Sequence, residues 1–272
     1  MTPYGGVLAH AVNGDGPPLL LLNGGLMSYP AWEPVAGPLA ARSRLIRCDF
    51  RGQLLSPGPA PATLEGHAAD LLELLDALQI ESAHVAGVSF GALVGLTLAA
   101  RAPQRVRSLI AMNATDRVTR DIAARGRLAR DAAHDAANGG DGGRVLDLVA
   151  ATTWSAEYCA AHAAAIAARR QAVRLLPRAW FAGLEQLMAS LEDLDLTPLL
   201  PAIACPTLIV GAECDETFPI EHSRALAAAI PGARLVVLPR GSHGVVIERP
   251  AEVIDLVVNF LREVDGGVHA AR

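Results

Sequence analysis

The sequence predicts an α/β protein built on a doubly wound, mostly parallel sheet. Short apolar runs recur along the first 115 residues, each closed by glycine, asparagine or an Arg-Gly pair. Between them lie segments whose leucines repeat at the three- and four-residue spacing of a helix. Strands separated by helices need crossover connections, and such connections make neighbouring strands parallel. Composition agrees: 51% hydrophobic and 19% charged residues in a 272-residue chain supply a large core and exclude disorder.

Taken in order, residues 19–22 are four consecutive leucines ended by Asn23-Gly24-Gly25, a buried strand running into a turn. Residues 44–50 form the next strand, stopped by Arg51-Gly52. Residues 63–78 carry Leu64, His67, Leu71, Leu74, Leu75 and Leu78 on one helical face, with Thr63 placed to cap it. A strand at 83–88, a helix at 91–101 and a strand at 106–112 complete this half. After Asn113 alanine becomes frequent and β-branched residues scarce, so 116–197 reads as helices near 117–137, 144–152, 155–176 and 178–193. Pro198, Pro201 and Pro206 mark the return to alternation: strands at 207–211 and 235–238, helices at 220–230 and 252–264. The expected organisation is a core of 1–115 and 198–272 with 116–197 as a helical cap.

Charge and residue usage exclude several functions. A net charge of -5 disfavours a nucleic-acid partner. All 23 basic residues are arginine, which removes Schiff-base, P-loop and Ser-Lys chemistry. Cys48, Cys159, Cys205 and Cys214 lack C-x-x-C spacing and are too sparse for a disulfide scaffold, so a reduced, cytoplasmic setting is expected. Residues 1–6 lack the charged and apolar regions of a signal peptide, and the apolar stretch 85–100 is too short and glycine-broken to span a bilayer. No histidine pair has metal-ligand spacing with a carboxylate, and the glycines at 14–16 and 139–143 do not sit between a strand and a helix. Neither a metal nor a cofactor is expected.

Gly87-Val88-Ser89-Phe90-Gly91 matches G-x-S-x-G where a strand meets a helix. The chemistry needs that turn: it exposes the serine hydroxyl at the carboxyl edge of the sheet, and Gly87 and Gly91 keep neighbouring elements from clashing. A serine needs a base and the base an orienting acid. His243 follows the strand at 235–238, and Asp215 follows the strand at 207–211. The chain order Ser89, Asp215, His243 is that of a nucleophile-elbow hydrolase, and the 28-residue gap between the last two fits one helix and one strand. The backbone amides of Phe90, at a helix N-terminus, and Gly25, after the first buried strand, are the expected oxyanion donors.

These pieces resemble the α/β-hydrolase superfamily over nearly the full length. The resemblance is carried by Leu-Leu-Asn-Gly-Gly at 21–25, Cys-Asp-Phe-Arg-Gly-Gln-Leu-Leu-Ser at 48–56, the elbow at 87–91, the Asp215 segment and Gly-Ser-His at 241–243. It implies a helical cap after the sixth strand. It departs from the family pattern at Asn23, where His-Gly is usual, and at Leu54, where a glycine is usual. The Asn-Gly opening resembles enol-lactonases and bacterial hydroxyacyl transferases.

The expected activity is cofactor-independent hydrolysis of a small-molecule carboxylic ester or lactone through an acyl-enzyme on Ser89. Acyl transfer, thioester or C–C cleavage on the same residues, and a non-catalytic binding role remain as alternatives, as does a homodimer. Asp116, just past the strand at 106–112, is the alternative acid to Asp215. Asp49 reads as loop structure, His84 as a core residue, and His67, His134, His162 and His222 as packing or surface residues. Leu26, Trp154 and Trp180 are candidate pocket residues, with Tyr158 and Phe181 beside them in the cap sequence. Arg169, Arg170 and Arg174 either meet an anion or form a solvated helix face. Cys214 is expected to be a bystander.

Overall fold

The computed structural model describes residues 8–270, so the reading of residues 1–6 lies outside it. Among the described residues seven strands form one sheet: β1 (His10–Asn13), β2 (Pro18–Leu22), β3 (Arg44–Cys48), β4 (Ala83–Val88), β5 (Val106–Met112), β6 (Thr207–Ala212) and β7 (Arg234–Leu238). Their order is β1-β3-β2-β4-β5-β6-β7. Only β1 runs antiparallel, against β3; every other pairing is parallel. β4 and β6 are buried at every position, which explains why both, His84 and Thr207 apart, read as continuous apolar runs rather than alternating ones.

Helices cover both faces. On one lie α2 (Leu64–Ala77), α3 (Phe90–Arg101) and α9 (Ile220–Ala229), packed through residues such as Leu71, Leu96 and Leu226. On the other, α1 (Glu33–Ala40) and α11 (Pro250–Ala270) bring Val35, Leu39, Val253, Val257 and Phe260 against the sheet. The Thr63 hydroxyl accepts the Gly66 amide and caps α2, as its position predicts. The chain crosses from β3 to the far side of β2 when it enters β4, so the strand order reverses between β2 and β4. A crevice opens at the carboxyl ends of strands at such a point.

Helices α4 (Arg120–Ala137), α5 (Gly143–Thr153), α6 (Ala156–Ala161), α7 (Ala163–Arg174) and α8 (Arg178–Ala189) fill the interval between β5 and β6. They have a small core of their own, in which Ala132, Ala133 and Ala136 let α4 lie close against Trp180, Phe181 and Leu184 of α8. Entry and exit run side by side: Val118 N–H donates to Leu194 O at 2.8 Å and Leu196 N–H to Asp116 O at 2.8 Å.

The helical interval follows β5, the fifth strand among the described residues. Several expectations need correction. The helix expected over 155–176 is broken at His162, whose backbone (φ -119°, ψ 22°) leaves the helix while its ring stacks on Tyr158 at 4.0 Å. The strand expected to reach residue 50 stops at Cys48, because the Phe50 amide turns to the Gln53 side chain at 3.0 Å. Among the elements not read from the sequence are β1 and α1. β1 is a four-residue edge strand, and α1 contains Pro34, Gly37 and Pro38, which mask its helical spacing. No described helix is long and apolar enough to cross a membrane.

Candidate active site

The turn from β4 into α3 holds Ser89 at φ +52° and ψ -122°, a conformation that costs an L-residue about 1–3 kcal/mol and persists only where surrounding structure enforces it. The enforcement is visible. The Ser89 amide donates to Met112 O at 3.0 Å, tying the turn to β5. A Cβ on Gly87 would stand 2.5 Å from the Gly91 carbonyl oxygen, and one on Gly91 would fall on the Leu22 carbonyl. Both glycines are therefore dictated by backbone packed against backbone.

His243 sits in the loop after β7. Its position is held by Asn113, whose Nδ2 donates to the Ser242 and His243 carbonyls at 3.0 and 2.9 Å. Asp215 lies in the loop after β6, where Oδ1 accepts the amides of Thr217 and Phe218, each at 2.8 Å. Its other oxygen, Oδ2, lies 2.8 Å from His243 Nδ1, and His243 Nε2 lies 2.9 Å from Ser89 Oγ. An ionised carboxylate only accepts, so Nδ1 carries the proton and Nε2 is left to accept from the hydroxyl. Asp215 and His243 are 5% and 8% exposed, so the chain of hydrogen bonds works in a medium where it is stronger than in water.

The alternative acid is otherwise engaged. Asp116 lies 2.6 Å from His222 Nδ1 and 3.0 Å from Arg117 Nε. Asp49 is also structural: its carboxylate accepts from Ser28 Oγ and from the Tyr29 and Leu55 amides. Burial pushes that carboxyl above its usual range, against the opposing pull of these bonds. His84 is buried in β4 against Ser108 at 2.7 Å, a core histidine as expected.

Gly25 and Phe90 both border the cavity beside Ser89. Phe90 opens α3, and the first amides of a helix have no partner within it. The Gly25 amide is oriented by Gln53, to which the sequence reading gave no role. Gln53 Nε2 donates to Gly24 O at 2.8 Å and to Gly25 O at 3.3 Å. In a trans peptide C=O and N–H point oppositely, so a Gly24 carbonyl held by Gln53 turns the Gly25 N–H away from Gln53. Gln53 is in turn fixed by Asn23, whose Nδ2 reaches Gln53 Oε1 at 3.0 Å and whose Oδ1 accepts from Trp32 Nε1 at 2.7 Å. Asn23 and Gln53 are 0% and 1% exposed. A polar side chain continuing the buried leucine run was the signal for Asn23; Gln53 had none.

A cavity of about 690 Å³ lies between these residues and the helices of 116–197. Leu26, Leu54, Trp154, Trp180 and Met188 are among its mainly apolar walls. Phe181 is turned into the core of the helical segment, edge-on to Trp180 at 4.9 Å, and Tyr158 stacks on His162. Cys214 is exposed.

Residues 17–250 match the family described as alpha/beta hydrolase fold. The chain belongs to the α/β-hydrolase family. Among curated relatives of this α/β hydrolase is RutD of Stutzerimonas stutzeri, whose name provisionally assigns it carbamate hydrolysis; identity is 30% over 93% of this chain and 95% of that one. Among solved structures, the enol-lactonase of Burkholderia xenovorans aligns with TM-score 0.83 and 28% identity over 93% of this chain and 96% of that one. A thermophilic esterase from Thermogutta terrifontis aligns with TM-score 0.81 and 28% identity over 94% and 93%.

Proposed function

We propose that this α/β hydrolase cleaves a carboxylic ester or lactone without a cofactor, through an acyl-enzyme on Ser89. The observation that carries the reading is the unbroken chain from Ser89 Oγ to His243 Nε2 at 2.9 Å and from His243 Nδ1 to Asp215 Oδ2 at 2.8 Å. As Ser89 Oγ bonds to the substrate carbonyl carbon, its proton passes to Nε2, and the carbonyl electron pair moves onto oxygen between the Gly25 and Phe90 amides. Asp215 stabilises the imidazolium. The tetrahedral species collapses by breaking the acyl–oxygen bond, and His243 returns its proton to the leaving alkoxide. Water then gives a proton to His243 and its oxygen to the acyl carbon, and Ser89 leaves with that proton.

The same residues would serve a carbamate, the substrate class in the name of the RutD relative. The size and apolar lining of the cavity favour a larger acyl group than a carbamate presents.

Intact-mass measurement after exposure to a fluorophosphonate tests the nucleophile. One adduct on the native chain and none on Ser89→Ala is the expected result. A well-folded native chain without an adduct, or an adduct retained by Ser89→Ala, overturns it.

A further inference from the structure

Three arginines of the helical segment, Arg169, Arg170 and Arg174, are sorted by the structure into two groups. Arg170 is neutralised by Asp147 at 2.8 Å and Asp141 at 3.2 Å, and Arg174 by Asp141 at 3.0 Å. Arg169 has no carboxylate in reach among the described residues. Its guanidinium lies 5.7 Å above the ring of Trp154, on the wall of the cavity. Two more arginines border that cavity from α4. Arg125 makes one long bond, at 3.3 Å, to the Thr217 carbonyl beside the Asp215 loop, and Arg127 has no carboxylate partner among the described residues. The one carboxylate on the cavity wall, Glu192, is bound by Arg130, which does not line it. A protein of net charge -5 thus concentrates uncompensated positive charge on the cap side of a mainly apolar chamber.

We propose that the substrate is an acyl compound with an apolar body and an anionic group, which Arg169 and Arg125 receive on the cap side. The inference rests on the reading of Ser89 as nucleophile. The planar guanidinium fork matches carboxylate and phosphate oxygens alike. Like-signed charges around a cleft raise the local concentration of an oppositely charged ligand. Trp154 steadies Arg169 from below, so little side-chain freedom is lost when an anion binds.

The test uses 4-nitrophenyl esters of one acyl length whose far end is methyl, carboxylate or phosphonate. The native chain is expected to show roughly tenfold higher kcat/KM for an anionic ester than for the neutral one at low salt, the better of the two identifying the anion. Arg169→Gln and Arg125→Gln are each expected to lower that ratio severalfold, while Arg170→Gln leaves the ratio as it was. A neutral ester cleaved as well as both charged ones overturns the proposal. Binding is read independently of turnover by titrating Ser89→Ala with the corresponding amides and following tryptophan fluorescence. Tighter binding of the charged amide with no ester turned over by the native chain supports the anion site and overturns the hydrolase reading. Serine-dependent cleavage of the neutral ester with equal binding of all amides does the reverse.

Discussion

Ser155 and Glu248 are joined by two hydrogen bonds, from the Ser155 amide at 2.8 Å and its hydroxyl at 3.0 Å. Ser155 caps the N-terminus of α6, and Glu248 ends the short helix α10 (Val245–Glu248), just after His243. The same carboxylate accepts from Ser242 Oγ at 2.8 Å. Glu248 therefore ties the helical segment to the loop that carries His243. Glu248→Ala is expected to lower kcat about tenfold and stability by roughly 1–3 kcal/mol, as unpaired donors are left behind. Glu248→Gln keeps one acceptor oxygen and is expected to recover part of both. Ester kinetics and thermal unfolding of the two variants decide whether the tie positions His243; equal kcat in all three chains would refute it.

The choice of acid is open to a direct comparison. Asp215→Asn is expected to reduce kcat by about 10⁴ by setting the wrong tautomer on His243. Asp116→Asn weakens the pair with His222 and should lower the melting temperature while activity stays within a few-fold. A larger kinetic loss in the Asp116 variant would reverse the assignment.

Gln53 donates to the Gly24 and Gly25 carbonyls, so its expected effect is on the position of the Gly25 amide. Loss of an oxyanion donor costs about 10²–10³ in kcat, and a loosened one should cost part of that. Gln53→Leu is expected to lower kcat by about 10–10² with KM little altered. A change confined to KM would show that Gln53 shapes binding instead.

His67 offers a test by pH. It is fully buried between Phe50 and Phe90, with ring centroids at 5.5 and 5.1 Å. Burial, reinforced by the Arg51 guanidinium, lowers its pKa from 6.5 to about 3. The unfolded chain then binds a proton between these values that the folded chain does not, so stability rises with pH across the window. The contribution is complete above about pH 6.5 and falls as pH drops toward 3, by up to roughly 3–5 kcal/mol. Urea unfolding from pH 4 to 7 should show a shallower slope in His67→Leu than in the native chain. Parallel slopes would mean that His67 titrates normally.

Glycines divide by what a methyl group would meet. Gly91→Ala drives a Cβ into the Leu22 carbonyl and is expected to abolish soluble expression or cost more than about 3 kcal/mol. Gly37, within α1, has open space around it, and Gly37→Ala should stabilise by about 0.5–1 kcal/mol. Paired melting curves check both.

The sequence by itself determined the parallel core and where its chemistry could lie. Leucine runs and glycine turns are local signals, and parallel strands put all their carboxyl ends on one edge. Ser89, Asp215 and His243 each stand just past a strand, so their convergence on that edge was legible from chain order. Only the tertiary structure decided which partners they and their neighbours take. Asn113 reaches a carbonyl 130 residues away, and Glu248 reaches Ser155 across 93. Asp116 turns to His222, and of three arginines in one alanine-rich stretch two find carboxylates on α5 and the turn before it while the third faces the cavity. Periodicity reports the face a residue occupies. A hydrogen bond or an ion pair depends on which side chain a different element brings opposite, and that is set by packing of the whole chain.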